Sequence, residues 1–233
     1  MNRRQILGAA IASGLALGTG TRGSARSLSP VPAKPIPIPK DGRIKVAFVI
    51  SSGANVIDLA GPWETFQDTI LPNGDMPFEL FTVAETTQIV EMTDGLRVEP
   101  TYSFDAVPRP NVVVVPAQSN ASPRFMGLLR EIQGEVDLTM SICTGAFKLA
   151  KAGILDGKSA TTHHDYYDAF AKEFPKVTLV RGPRFVDEGS IVTAGGLTSG
   201  ISAALHVVAR YFDATFSART ADYMEFVPSD RPA

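Results

Sequence analysis

The chain has 233 residues, 44% of them hydrophobic and 20% charged, with a formal net charge of −2, three histidines and one cysteine. That length suits one α/β domain with a sizeable core, and the near-neutral charge counts against a nucleic-acid partner, which calls for a basic excess or stripe. One cysteine excludes an internal disulfide and a cysteine-cluster metal centre, three histidines leave little scope for a histidine-rich one, and no metal is expected.

The charge is unevenly spread. Residues 1–43 hold seven Lys/Arg and a single acid, which leaves the remaining 190 residues with a net charge of −8. The chain opens Met1-Asn-Arg3-Arg4-Gln-Ile-Leu7 and runs on without a charge until Arg22. A basic start, a short apolar stretch over 6–17 and small residues near Gly23-Ser24-Ala25 form the layout of an export signal over 1–26. The paired arginines before Gln-Ile-Leu are of the twin-arginine type, so the expected location is periplasmic or secreted. The apolar run is too short to span a bilayer, and no stable membrane span is expected once the signal is removed. Prolines then alternate through Pro30-Val-Pro-Ala-Lys-Pro-Ile-Pro-Ile-Pro39. Alternating proline forbids helix and favours an extended form, so 27–42 is predicted to be a spacer outside the core. The folded domain is expected over 43–233.

Within that domain, 44–50 is a near-continuous apolar run, the mark of a strand buried on both faces. A loop over 51–55 follows, and Gly61-Pro62 is expected to open a helix carrying Trp63, Phe66 and Ile70. A second strand falls at 78–83. Asp94-Gly95 between apolar flanks predicts a hairpin over 90–98. The four valines Val112 to Val115 form another buried strand, followed by a helix over 123–133. A strand over 137–142 ends on Cys143-Thr144-Gly145, and a helix runs from there to Ala152. Short strands are expected at 159–162, 178–180 and 190–193. Helices at 199–211 and 214–224 close the chain. Strands alternating with helices imply a doubly wound α/β fold, its mostly parallel sheet covered on both faces.

In such sheets ligands bind beyond the carboxyl ends of the strands. Cys143 stands at one of these ends, where strand turns sharply into helix and Gly145 allows the turn. The same strand-nucleophile-helix elbow carries the nucleophile of α/β hydrolases. The following helix dipole is expected to lower the thiol pKa, and the Thr144 amide to point where an oxyanion forms. The bland alternative is a buried core cysteine. Asp58 stands where an ordinary N-cap for the Trp63 helix would stand. Glu64 reads as a solvated or lining carboxylate, His164 as pointing away from His163, and His206 as structural. Gly195-Gly196 before a helix is explained by packing against the elbow.

Ser141-Ile-Cys-Thr-Gly-Ala146, Leu149-Ala-Lys-Ala-Gly-Ile-Leu-Asp-Gly157 and Ala160-Thr-Thr-His163 resemble the ThiJ/PfpI superfamily. Asp58-Leu-Ala-Gly-Pro62 and Gly195-Gly-Leu-Thr-Ser-Gly200 extend the resemblance over 44–227. It implies the flavodoxin-like fold of class I glutamine amidotransferases, and the motifs are most similar to the isonitrile hydratase branch. On that resemblance Cys143 is the nucleophile, Asp58 the proton donor and Thr144 a hydrogen-bonding partner of the reacting group. Ala117, Gln118, Gly61 and His163 line the oxyanion or substrate position, the substrate is a small molecule, and the protein forms a homodimer. Many members carry Pro-Gly-Gly where this chain has Pro116-Ala117-Gln118, but Ala117 still offers its N–H. No phosphate-binding glycine loop appears, and no cofactor is expected. Two other functions fit the same residues: a non-catalytic small-molecule-binding module and a redox-active thiol protein.

Overall fold

The computed structural model describes residues 34–40, 42–119 and 121–227. The predicted export signal and the first part of the spacer lie outside them.

Seven strands form one sheet: β1 (Ile44–Val49), β2 (Phe78–Ala84), β5 (Tyr102–Ser103), β6 (Val112–Val115), β7 (Leu138–Ile142), β10 (Phe185–Asp187) and β11 (Ile191–Ala194). Their order is β10-β11-β7-β6-β1-β2-β5. Every pairing is parallel except β10 with β11. The register sets Val115 beside Ser141 and Ala194 beside Ile142, so β6, β7 and β11 end together at the carboxyl edge. A hairpin of β3 (Val90–Glu91) and β4 (Arg97–Val98) stands apart, as does the pair β8 (Ser159–Ala160) and β9 (Thr178–Leu179). The hairpin turns at Asp94 and Gly95, both with positive φ (54° and 82°), which is what a tight primed turn requires.

The strands are apolar on both sides because helices cover both. Ile44, Val46 and Phe48 of β1 face a cluster with α1 (Val56–Gln67) and α5 (Ser199–Tyr211), to which Phe216 of α6 (Ala214–Tyr223) adds. Ala47 and Val49 face the opposite cluster, with α2 (Pro123–Ile132), α3 (Gly145–Lys151) and α4 (Tyr167–Glu173). The doubly wound, mostly parallel sheet expected from the alternating pattern is therefore the observed architecture.

Two boundaries differ from the sequence expectation. Helix α1 begins at Val56 rather than at Gly61-Pro62, because Asn55 caps it by accepting the Ile57 N–H at 3.2 Å. Pro62 lies inside the helix, where it cannot donate to the Asp58 carbonyl. The spacer is also not wholly outside the core. Ile36 is buried, its N–H donates to the Arg210 carbonyl at 2.8 Å, and Arg210 Nε donates to the Lys34 carbonyl at 3.2 Å. The folded unit thus already includes Lys34. Proline at every second position excludes helix, but it leaves the intervening Ile36 N–H free to dock an extended segment on α5. Strands β5 and β10 and helix α4 were not expected; the strands are two and three residues long and the helix seven, too short to establish a period.

Candidate active site

The site is assembled at the carboxyl edge from four connections. At the end of β7, Cys143 has φ +56°, a left-handed conformation rare for a non-glycine residue. Its N–H donates to the Gly195 carbonyl at 2.8 Å and to that of Ala194 at 3.2 Å, while its own carbonyl accepts the Thr162 hydroxyl at 2.8 Å. Backbone bonds on both sides thereby hold the strained conformation. Gly145 lets the chain descend into α3. A Cβ there would lie 2.1 Å from the Val115 carbonyl oxygen and 3.0 Å from that of Pro116. Both obstacles are backbone, so Gly145→Ala is expected to destabilise the domain by about 2–4 kcal/mol. Chemical denaturation measures this, and an unchanged midpoint would contradict the close approach.

The second connection brings in α1. The Asn55 N–H donates to the Ala117 carbonyl at 2.8 Å, tying the start of the helix to the end of β6. One turn later Asp58 is fully buried, with Oδ2 accepting the Ala117 N–H at 3.1 Å. Asp58 is therefore not the N-cap, a role Asn55 takes. Its Oδ1 is buried and has no close hydrogen-bond partner among the described residues. Burial pushes the carboxyl up to about 7 against the N–H groups of Ala117 and Leu197, which favour the charged form.

Cys143 is 7% exposed. Burial and then the Asp58 charge push its thiol up to about 11, opposed by the Thr144 N–H, the Thr144 hydroxyl and the Leu197 N–H. The expected lowering by the α3 dipole is thus overturned. Desolvation first and a neighbouring carboxylate second set the direction of the shift. The Asp58 charge adds to the cost of a thiolate at Cys143, so the carboxyl ionises before the thiol.

The remaining expected residues divide. Thr144 stands against the sulfur through both its N–H and its hydroxyl. The Ala117 N–H, expected to complete an oxyanion pocket, is instead taken by Asp58. Gln118 is buried, with Nε2 donating to the Val49 carbonyl at 3.2 Å and Oε1 without a partner among the described residues. Gly61 has a packing reason to be glycine: a Cβ would lie 2.9 Å from Ile201 Cγ1 where α1 meets α5. His163 lies three residues beyond the end of β8 rather than on a strand. It caps a short helical turn through Nδ1, which accepts the Asp165 N–H at 3.2 Å. The neighbouring His164 does not point away; the two rings stack at 4.4 Å. Gly196 leaves room for His163, whose Cδ2 would lie 1.9 Å from a Cβ at that glycine. Glu64 is exposed and accepts from Gln67 Nε2 at 3.2 Å. His206 is structural, with Nε2 2.7 Å from Asp187 Oδ2.

A family model for the DJ-1/PfpI family matches residues 44–210, a span that contains Asp58, the elbow and the Gly195-Gly196 loop. The chain belongs to the DJ-1/PfpI family. Over 170 residues this DJ-1/PfpI chain is 29% identical to isonitrile hydratase of Pseudomonas putida, covering 70% of this chain and 69% of the relative. It is 24% identical over 169 residues to the HTH-type transcriptional regulator GbdR of Pseudomonas aeruginosa, of which the match spans 46%. Among solved structures, a THiJ/PfpI family protein from Pseudomonas syringae superposes with a TM-score of 0.71 at 24% identity, covering 92% of this chain and 85% of that one. Drosophila melanogaster DJ-1beta superposes with a TM-score of 0.69 at 17% identity, covering 80% and 100%.

One residue of this DJ-1/PfpI site escaped the sequence reading. Leu197 has φ +53°, and its N–H faces both the Cys143 sulfur and the Asp58 carboxyl. Its contribution is a backbone group, which the identity of a leucine side chain does not signal. The only sign in the sequence is the pair of glycines before it, which permits a tight loop.

Proposed function

We propose that the protein is an exported cysteine-dependent hydratase that adds water to a small isocyanide to give an N-substituted formamide. The observation that carries this reading is the buried pair itself, a thiol beside a carboxyl whose pKa is raised to about 7. Such a carboxyl can both take and return a proton near neutrality. The identity to the Pseudomonas putida isonitrile hydratase supports the choice of substrate class.

In this mechanism Asp58 takes the thiol proton as the sulfur of Cys143 bonds to the terminal isocyanide carbon. It then delivers that proton to the same carbon, giving the thioimidate R–N=CH–S–Cys143. Asp58, again a carboxylate, draws a proton from a water molecule. The hydroxyl bonds to the carbon and the nitrogen takes up the proton, giving R–NH–CH(OH)–S–Cys143. Collapse of this adduct breaks the C–S bond, releases R–NH–CHO and returns the proton to sulfur. The Thr144 and Leu197 groups facing the sulfur offset the charge it carries on attack and departure.

Purified protein incubated with a small aliphatic isocyanide is expected to form the formamide, with a transient mass increase on Cys143 equal to the added isocyanide. Absence of both product and adduct would refute the substrate assignment. A non-catalytic binding module is the second reading, favoured by the resting thiol being protonated; ligand binding without any adduct would support it. The raised thiol pKa counts against a redox role, since the thiolate is the form that oxidises readily.

Export is the other part of the proposal and rests on the basic and apolar opening of the chain. Replacing Arg3 and Arg4 together with Ala is expected to leave the protein in the cytoplasm on fractionation of expressing cells. Unchanged export would overturn the twin-arginine assignment.

A further inference from the structure

Beyond the thiol site, the turn after β8 gathers ligand-bearing side chains of another kind. Of the three histidines in the chain, two are adjacent, and Asp165 follows them directly. One nitrogen from each ring and a carboxylate oxygen of Asp165 all lie within 4.8 Å of one another. His164 Nε2 is 3.2 Å from Asp165 Oδ1, and His163 Nδ1 is 3.7 Å from Asp165 Oδ2. A tetrahedral ion with bonds of about 2.0–2.1 Å sets its ligand atoms roughly 3.3 Å apart. Each ring nitrogen thus lies near that spacing from one Asp165 oxygen, Oδ1 for His164 and Oδ2 for His163, and rotation of the carboxylate would offer one oxygen to both.

We propose that His163, His164 and Asp165 form a surface site for a divalent transition-metal ion of the zinc or cobalt type. Two imidazole nitrogens and one carboxylate suit these borderline ions rather than calcium or magnesium, which favour all-oxygen sets. His163 Nδ1 presents a lone pair, since it accepts the Asp165 N–H, and an ion would take over that lone pair. The stacked rings must tilt for both nitrogens to reach one ion. His164 and Asp165 are exposed and have the freedom to do so, while His163 is half-buried against Gly196 and supplies the fixed ligand. Water completes the coordination on the exposed side.

The site would lie at the edge of the thiol loop without sharing its groups. The Cδ2 edge of His163 packs on Gly196, one residue before Leu197, whose N–H faces Cys143 and Asp58. The third histidine cannot substitute, because His206 is bonded to Asp187 within 2.7 Å and packs on Phe185.

The test is calorimetric titration of the untagged, chelator-treated protein with Zn²⁺, paralleled by Co²⁺ and its visible absorption. The expected result is one ion per chain with an affinity in the micromolar range or tighter. His164→Ala and Asp165→Asn, both at exposed positions, should each weaken binding by about tenfold or more. Cys143→Ser should leave it unchanged, which separates this site from the thiol. No binding by the parent protein, unchanged binding in His164→Ala, or loss of binding in Cys143→Ser would each overturn the assignment. None of these readouts depends on isocyanide turnover.

Discussion

Cys143→Ala is expected to form no formamide above the uncatalysed background, and Cys143→Gly to be equally inactive but more stably folded. Loss of turnover follows from chemistry: sulfur is the strongest nucleophile at the elbow, and the chain has no second cysteine to replace it. The stability difference follows from the backbone. A non-glycine residue at φ +56° costs about 1–2 kcal/mol, because its Cβ crowds the following carbonyl oxygen. Alanine keeps that cost and glycine removes it. The glycine variant should therefore unfold at higher denaturant, by about 1 kcal/mol relative to alanine. Turnover of the alanine variant within tenfold of the parent would remove Cys143 from the mechanism. Equal stability of the two variants would remove the strain argument while leaving the mechanism standing.

Asp58→Asn is expected to lower turnover by about 10²–10⁴-fold, the usual contribution of a positioned acid–base group. The pH dependence separates its role from a merely structural one. The competent pair holds one proton, so kcat/KM should rise through about pH 7 as Asp58 ionises and fall towards pH 11 as the thiol loses its own proton. In the asparagine variant the rise near neutrality should disappear. Stability should move in the opposite direction. The folded-state pKa of Asp58, about 7, lies above its ordinary value of 3.8. Between those values the folded protein keeps a proton that the unfolded chain has released, so stability falls as pH rises through this window. Asparagine carries no charge to desolvate. Its stability relative to the parent should therefore improve from about pH 5 to about pH 8, by on the order of 1–3 kcal/mol. A relative stability independent of pH would mean that Asp58 is not desolvated as its burial implies.

Some of this architecture is written in local sequence. Val112 to Val115 can only be a strand covered on both sides, and Asp94-Gly95 supplies the two positive-φ positions that close a hairpin. The run Ser141-Ile-Cys-Thr-Gly places a lone thiol at a carboxyl edge, because strand and helix propensities change within three residues. Each signal lies within a few residues of the feature it specifies, and each survives in the folded chain. Helix α1 shows the limit of such signals: Gly61-Pro62 reads as a helix start, but Asn55 supplies the cap and a bond to β6 holds the first turn. The docking of Ile36 beside Arg210, residues 174 positions apart, likewise has no local mark.

The chemical character of the site belongs to the tertiary structure. A helix dipole behind Cys143 is visible in sequence and argues for a lowered thiol pKa. Burial and the approach of Asp58 reverse that direction, and both depend on contacts between distant segments. Ala117 gives its N–H to Asp58, and Leu197 turns its own towards the pair, through backbone groups that any residue type would carry. The count of one cysteine and three histidines singled out Cys143 by itself and argued against a metal. Only the fold set that thiol beside the buried Asp58 carboxyl and stacked the adjacent His163 and His164 rings on each other, because charge states and side-chain geometry depend on what surrounds a group in space.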